Sequence, residues 1–326
     1  MKTLLPTMAT TTALALTASA ALAENWDMPV AYPDTNYHTE TAKAFAECVA
    51  TGTGGEITIT VHPNGSLFKG NEIKRAVQTG QAPIGERLLS AHENENPIFG
   101  FDSVPFLATN FEESKRLWEA VKPTMEKILD EQNLVLLYTT PWPPQGFYAK
   151  KPIEGVADMQ GLKFRSYNTM TARIAELTGM VPVQIEAAEL SQALATGVAE
   201  SMFTSGATGY DSKVWEQLSH HYEINAWMPR NTVFVNKDVW AGVSDEHKQV
   251  IQACAGLAAY AGHWRAVQYT DFTLEQLAEH GMTVQPPGEQ LKAELTEVGN
   301  QLVQEWIDRA GADGQAIVDA YRAGQN

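Results

Sequence analysis

A helix-forming run over residues 245–280 sets the scale of this molecule. Ser244 stands where an N-cap belongs and Gly281 where a helix terminates. At 1.5 Å per residue, an unbroken helix of 36 residues would extend about 54 Å, more than the width of one ordinary domain. Such a rod would have to serve two bodies at once. The plainer alternative is two consecutive helices, because Gly256 and Gly262 each permit a break. The run itself leaves both open.

Upstream, short strands alternate with helices, the pattern of an α/β architecture. Spacing predicts strands at 26–31, 57–61, 84–89 and 134–139, with helices at 38–50, 72–79 and 111–131. The same style continues with strands at 161–165 and 180–183 and helices at 169–177 and 188–195. The run Ala193-Leu194-Ala195-Thr196-Gly197-Val198-Ala199 echoes Ala76-Val77-Gln78-Thr79-Gly80-Gln81-Ala82, which favours two similar lobes. Two amphipathic helices separated by residues 311–314 close the chain.

Residues 1–23 read as a cleaved secretory signal. Lys2 supplies the positive charge, an alanine- and leucine-rich stretch follows, and Ala21-Leu22-Ala23 fits the small-x-small cleavage pattern. Thr10, Thr11, Thr12, Thr17 and Ser19 leave the stretch too polar and too short to act as an anchor. The expected product is periplasmic, begins at Glu24, and at about 300 residues suits two lobes. A content of 44% hydrophobic residues with eight tryptophans can fill a substantial core in each. Loss of Lys2 takes the formal charge from −16 to −17, which argues against nucleic acid or anionic membrane surfaces as partners. Cys48 and Cys254 could pair in an oxidising compartment if their helices meet. Isolated cysteines on apolar helix faces are more often buried bystanders.

No motif for covalent or metal chemistry is recognisable: there is no G-x-S-x-G, H-E-x-x-H or G-x-x-x-x-G-K-[ST]. His220-His221-x-Glu223 reads as a solvated loop pair, since neighbouring residues on a strand face opposite ways. Glu93-Asn94-Glu95 lacks the ligand density of a calcium loop. Neither a cofactor nor a metal is expected. Recognition chemistry is better represented. In Gly161-Leu162-Lys163-Phe164-Arg165-Ser166-Tyr167-Asn168, a strand delivers a permanently charged planar fork that can hold a carboxylate by two parallel hydrogen bonds. The alternative is a structural ion pair between Arg165 and Asp158 or Glu176. In Trp142-Pro143-Pro144-Gln145-Gly146-Phe147, two prolines stiffen the backbone that presents Trp142 and Gln145, which suits a pocket wall. The same corner could instead plug a lobe surface.

Taken in order, the chain resembles the periplasmic solute-binding proteins of tripartite ATP-independent periplasmic (TRAP) transporters, in the dicarboxylate-type, DctP-like family. The markers are Val61-x-Pro63-x-Gly65-x-Leu67, Ala76-Val77-Gln78-x-Gly80, Val104-Pro105-Phe106-Leu107, Gly161-Leu162-Lys163-Phe164-Arg165, and Glu189-Leu190-x-x-Ala193-Leu194-x-Thr196-Gly197-Val198. The resemblance covers essentially everything after residue 23. It implies a two-lobed, type II-like periplasmic binding protein fold with a long helix spanning both lobes. The lobes would comprise 24–146 with about 231–265, and 147–230 with about 266–326, with hinges near 145–148 and 229–232. It further implies a non-enzymatic receptor that captures a small-molecule carboxylate at Arg165 and hands it to the small and large integral membrane subunits of the transporter.

Departures from the family pattern bear on the ligand. Where many members carry Asp-Gly-x-Glu-Asn after the Thr-Gly, this chain has Glu200-Ser201-Met202-Phe203-Thr204-Ser205, so Thr204 or its neighbour Ser205 replaces a ligand-facing asparagine. A second arginine found in some members would fall near Gln145, which leaves one expected cation. With Trp142, Phe147, Tyr167 and Trp227 nearby, the favoured ligand is a monocarboxylate with an aromatic, apolar or sugar-like body. From the first lobe, register points to Leu88, Leu89, Ser90 and His92, and more weakly to the Asn36-Tyr37-His38 turn. Rival readings are a receptor feeding a sensor kinase, and an exported hydrolase or lyase using His92 with Glu86 or Glu93.

Overall fold

The computed structural model describes residues 24–324, so the signal segment 1–23 lies outside the described residues. The chain opens with β1 (Glu24–Pro29), α1 (Tyr37–Gly52), β2 (Ile57–His62), α2 (Gly70–Gln78) and β3 (Ile84–Leu88). It continues with α3 (Phe111–Glu131), β4 (Leu134–Pro141) and β5 (Gln145–Ala149). The middle contains β6 (Lys163–Ser166), α4 (Thr169–Leu177), β7 (Val181–Gln184), α5 (Leu190–Ala195), β8 (Ser201–Ser205), α6 (Gly206–Asp211) and β9 (His220–Tyr222). It ends with β10 (Arg230–Asn236), α7 (Lys237–Gly242), α8 (Asp245–Glu279), β11 (Thr283–Gln285) and α9 (Glu289–Ala323).

The strands divide between two lobes. In the first, β1 and β2 pair in parallel, and β10 runs antiparallel between β3 and β4. In the second, a mixed sheet has the order β11-β9-β5-β8-β6-β7. The chain crosses between lobes at residues 142–144 and again at 223–229. These crossings are bonded to each other: Trp142 N donates to Pro229 O at 2.8 Å, Gln145 N to Trp227 O at 3.0 Å, and Ala226 N to Gln145 O at 2.9 Å. The predicted Trp-Pro-Pro corner is thus half of a two-stranded strap, and Gln145 opens a strand that spacing did not reveal.

The third connection is α8, one 35-residue helix whose Ser244 cap accepts from His247 N at 3.2 Å. At 1.5 Å per residue it spans about 52 Å, packing on α1 and β4 of the first lobe and on α6 and β11 of the second. Neither glycine breaks it. Gly262 permits close approach instead, because a Cβ there would stand 2.7 Å from Thr140 Oγ1 on β4. The tail does turn, at Gly311, where φ is 62° and ψ is −142°. The repeated Thr-Gly run also has a structural meaning. Thr79 and Thr196 cap α2 and α5 through bonds from their Oγ1 to Arg75 O and Gln192 O, and Gly80 and Gly197 follow at φ 75° and 71°. Each cap releases the chain into a strand that approaches the cleft.

Two expectations are corrected by packing. His220 and His221 are strand residues of β9, not a solvated loop: His221 is buried against Tyr148 at 4.2 Å between ring centroids, and burial pushes its imidazole down to about 3. Cys48 and Cys254 are no bystanders. They form a disulfide, because α1 lies along α8 and brings their Cα atoms to 5.8 Å. The bridge closes a sequence separation of 206 residues. Replacing both cysteines with serine should lower stability by roughly 2–5 kcal/mol. Urea unfolding of the double variant beside the oxidised parent measures this, and coincident midpoints would show that α1–α8 packing suffices without the bond.

Candidate binding site

Where the lobes meet, a small cavity lies between the crossings and the two sheets. The first lobe contributes Tyr32, Arg87, Leu88 and Ala91. The crossings contribute Trp142, Gln145 and Pro229, and the second lobe Arg165, Tyr167, Glu186, Ala187, Thr204 and Thr208.

Arg165 lies on β6, whose neighbours β7 and β8 enclose it; the residue is only 4% exposed. Its Nε donates to Ile185 O at 3.0 Å, and its guanidinium carbon stands 4.8 Å from the Tyr167 ring centre. Among the described residues, no protein oxygen accepts from its two terminal nitrogens, which leaves the fork's open end at the cavity. Burial lowers its affinity for a proton, with the nearby Arg87 adding to the effect, but a guanidinium stays charged. Neither structural carboxylate considered for it is a partner. Asp158 accepts from Glu154 N and Gly155 N, and Glu176 pairs with Arg173.

The surrounding polar groups are fixed by bonds behind them. Gln145 Nε2 donates to Pro143 O at 2.8 Å, while its Oε1 accepts from Tyr167 Oη at 3.3 Å. Tyr167 Oη in turn accepts from Trp227 Nε1 at 3.1 Å, so Trp227 stands behind the site as a support. Trp142 Nε1 donates to Asn231 Oδ1 at 2.8 Å, the same oxygen that accepts from Tyr32 Oη at 3.2 Å. Asn231 is itself anchored by Glu86 Oε1 at 2.7 Å. Trp142 and Tyr32 meet edge to face at 4.9 Å, giving one wall a rigid aromatic surface.

Arg165, Gln145, Trp142, Tyr167 and Thr204 therefore share the cavity with Leu88 of the first lobe, and the other predicted residues do not line it. Phe147 lies farther along β5, buried in the second lobe's core against Phe203. Ser205 caps α6 by accepting from Thr208 N at 3.2 Å, and it is Thr208 that reaches the cavity. Leu89 is core, and Ser90 accepts from Asn168 Nδ2 at 3.0 Å in a contact between lobes. His92 pairs with Glu95 at 2.9 Å and backs Arg87, with 3.5 Å between Nε2 and Arg87 Nε. Its proposed acid partners are elsewhere, Glu86 beside His38 and Glu93 beside Arg309. Asn36 donates to Asp211 Oδ2 at 2.6 Å, another bridge across the cleft.

The expectation of a single cation is also corrected. Arg87, from β3, supplies a second, and its Nη1 and Nη2 each donate at 3.0 Å to one oxygen of Glu186 in the opposite lobe. Burial alone would push the Glu186 carboxyl up, but the charges of Arg87 and Arg165 outweigh it and hold the group below its usual range. The two residues lie 99 positions apart, and neither sits in a recognisable motif, so sequence spacing offered no signal for the pair.

Residues 29–309 match the family described as bacterial extracellular solute-binding protein, family 7, also called DctP. The chain belongs to that family. It is 53% identical to a TRAP solute-binding protein from a marine metagenome that is specific for pyroglutamate, with a TM-score of 0.92 over 93% of this chain and 99% of the other. A Bordetella pertussis extracytoplasmic solute receptor binding pyroglutamic acid is 45% identical, with a TM-score of 0.91 over 92% of this chain and all of the other. The C4-dicarboxylate-binding periplasmic protein DctP of Rhodobacter capsulatus is 27% identical over 90% of this chain and 89% of its own length.

Asp102 gives the closed cleft a pH signature. It accepts from Arg230 N at 2.7 Å, and Ser103, which bonds Asn168 across the cleft, also donates to it. Burial outweighs these bonds and pushes its carboxyl up to about 7 from an ordinary 3.8. The folded state then holds a proton that the unfolded chain releases, so this contribution to stability is lost as pH rises from about 4 through 7. Urea midpoints at pH 5 and pH 8 should fall less in Asp102→Asn than in the parent. Equal falls would assign the titration to another group.

Proposed function

We propose that this receptor captures pyroglutamate, or a cyclic monocarboxylate of closely similar shape, in the periplasm and delivers it to TRAP membrane subunits for uptake driven by an ion gradient. The observation that carries this reading is the open end of the Arg165 fork, enclosed between lobes with no anion of the described residues attached. An arginine buried in that way calls for an anionic partner. The fork can take a carboxylate by two parallel bonds, and Arg87 cannot compete for it, since its own fork is filled by Glu186.

The remaining lining suits a small lactam ring. The Trp142 and Tyr32 rings, set edge to face, offer an apolar wall for the ring carbons. Glu186 can accept from a ring N–H, and Thr204 or Thr208 can donate to a ring carbonyl. High identity to two pyroglutamate receptors over nearly the whole chain supports the same choice. Export by cleavage after residue 23 belongs to the proposal, as do the membrane partners and the absence of catalysis.

Two measurements test it. A thermal-shift screen of the mature protein should show pyroglutamate stabilising the fold by about 2.7 kcal/mol at 100 times its dissociation constant, and no shift would sink the ligand assignment. By calorimetry, Arg165→Ala should weaken binding more than tenfold, because a charge-assisted contact contributes about 1.5–3 kcal/mol. Undiminished affinity would mean that the carboxylate is held elsewhere.

A further inference from the structure

Capture of an acid by Arg165 does not by itself explain why Glu186 stands in the same cavity. An acceptor carboxylate beside an anion site repels the ligand class the site exists to attract. It is built in firmly: the side chains of Arg87 and Glu186 are 4% and 21% exposed, and two bonds of 3.0 Å join them across the cleft. Arg87 has no spare donor fork, since its Nε faces His92 Nε2 at 3.5 Å. The other titratable lining groups, Tyr32 and Tyr167, are held neutral by burial. Two guanidinium groups and one carboxylate leave the lining with a single net positive charge.

We propose that Glu186 is a specificity-determining residue: by reducing the cavity to one net positive charge it admits monoanions and rejects dianions of the same size, and it requires a hydrogen-bond donor in whatever ligand group lies beside it. The inference rests on the reading above for the placement of the ligand carboxylate at Arg165. An ionised carboxylate only accepts, so a ring N–H or an amide satisfies it and a second carboxylate does not. Inside a closed cleft little water or salt intervenes to soften that repulsion. Discrimination then comes from a repulsive element as well as from the attractive fork. Because its partner Arg87 comes from the other lobe, this element is positioned only when the lobes are shut.

Calorimetric titration of pyroglutamate, glutaramate and glutarate into the parent, Glu186→Gln and the Arg87→Met/Glu186→Met double variant tests the proposal. Glutaramate and glutarate differ only in a terminal amide against a carboxylate, and the parent should prefer the amide at least tenfold. Glu186→Gln carries two net positive charges and should bind glutarate at least tenfold more tightly than the parent does. The double variant returns the lining to one charge and should lose that gain. Equal affinity of the parent for glutaramate and glutarate would overturn the proposal without reliance on any variant's folding. So would a folded Glu186→Gln that gains no glutarate affinity. If the glutarate results hold while the parent ignores pyroglutamate, the ligand reading alone falls. If pyroglutamate binds and the glutarate results fail, the charge reading alone falls.

Discussion

A guanidinium can be buried only where something repays its lost hydration, and at Arg165 the protein repays little. One backbone carbonyl and one aromatic face touch a charge that is 4% exposed. Isolated charges taken out of water cost several kcal/mol even after relaxation, so the site is poised for an anion. Much of the surrounding structure holds that poise. Strands β7 and β8 flank the arginine, and the Trp227–Tyr167–Gln145 chain keeps neighbouring polar atoms from folding inward onto it. Glu186, the one carboxylate near enough to quench it, is held by Arg87 instead.

The scaffold that permits this is a pair of lobes joined by four connections of different stiffness. Two are the short crossings, tied to each other by backbone bonds at 142–145 and 226–229. The third is α8, which packs on both lobes and is fastened to α1 by the disulfide. The fourth is α9, which touches α4 of the second lobe but packs mainly on α3 of the first, where Trp306 Nε1 donates to Pro97 O, so the tail does not belong to the second lobe alone. Around the cavity the lobes meet through polar contacts: Arg87 with Glu186, Asn36 with Asp211, and Asn168 with Ser90 and Ser103. Polar contacts of this kind exchange readily for water, so they suit a cleft that must reopen, whereas an apolar seal would resist it.

Local signals in the sequence were legible where local physics decides the outcome. Asn110, Asn168 and Ser244 cap α3, α4 and α8 as short polar side chains should, and α3 and α4 fall on the predicted bounds. The family motifs located Arg165, and chain stiffness located Trp142 and Gln145. What the sequence leaves open or hides depends on pairs far apart in the chain. Arg87 and Glu186 are separated by 99 residues and Cys48 and Cys254 by 206, so neither pairing has a periodicity to read. Ser205 differs from Thr204 for another reason: they are neighbours on β8, where faces alternate, and spacing alone does not show that strand. Gly262 escaped as well, because a glycine in a helix signals weakness until the partner it approaches is known.

Charge counting joins the site to the whole molecule. The chain carries a formal charge of −16, yet its cleft presents one net positive charge assembled from residues of both lobes. An acidic exterior repels organic anions in general, and the repulsion is screened within about 10 Å at moderate ionic strength. Capture therefore falls to short-range contacts inside the cleft rather than to long-range attraction. A receptor of this kind gains little from a strongly positive pocket, which would hold any anion that diffused in, and more from a pocket whose charge is cancelled by a single ligand carboxylate. With the monoanion bound the lining is neutral. The lobes can then close over it without burying a net charge, whereas closure over an empty or doubly anionic cavity would bury one.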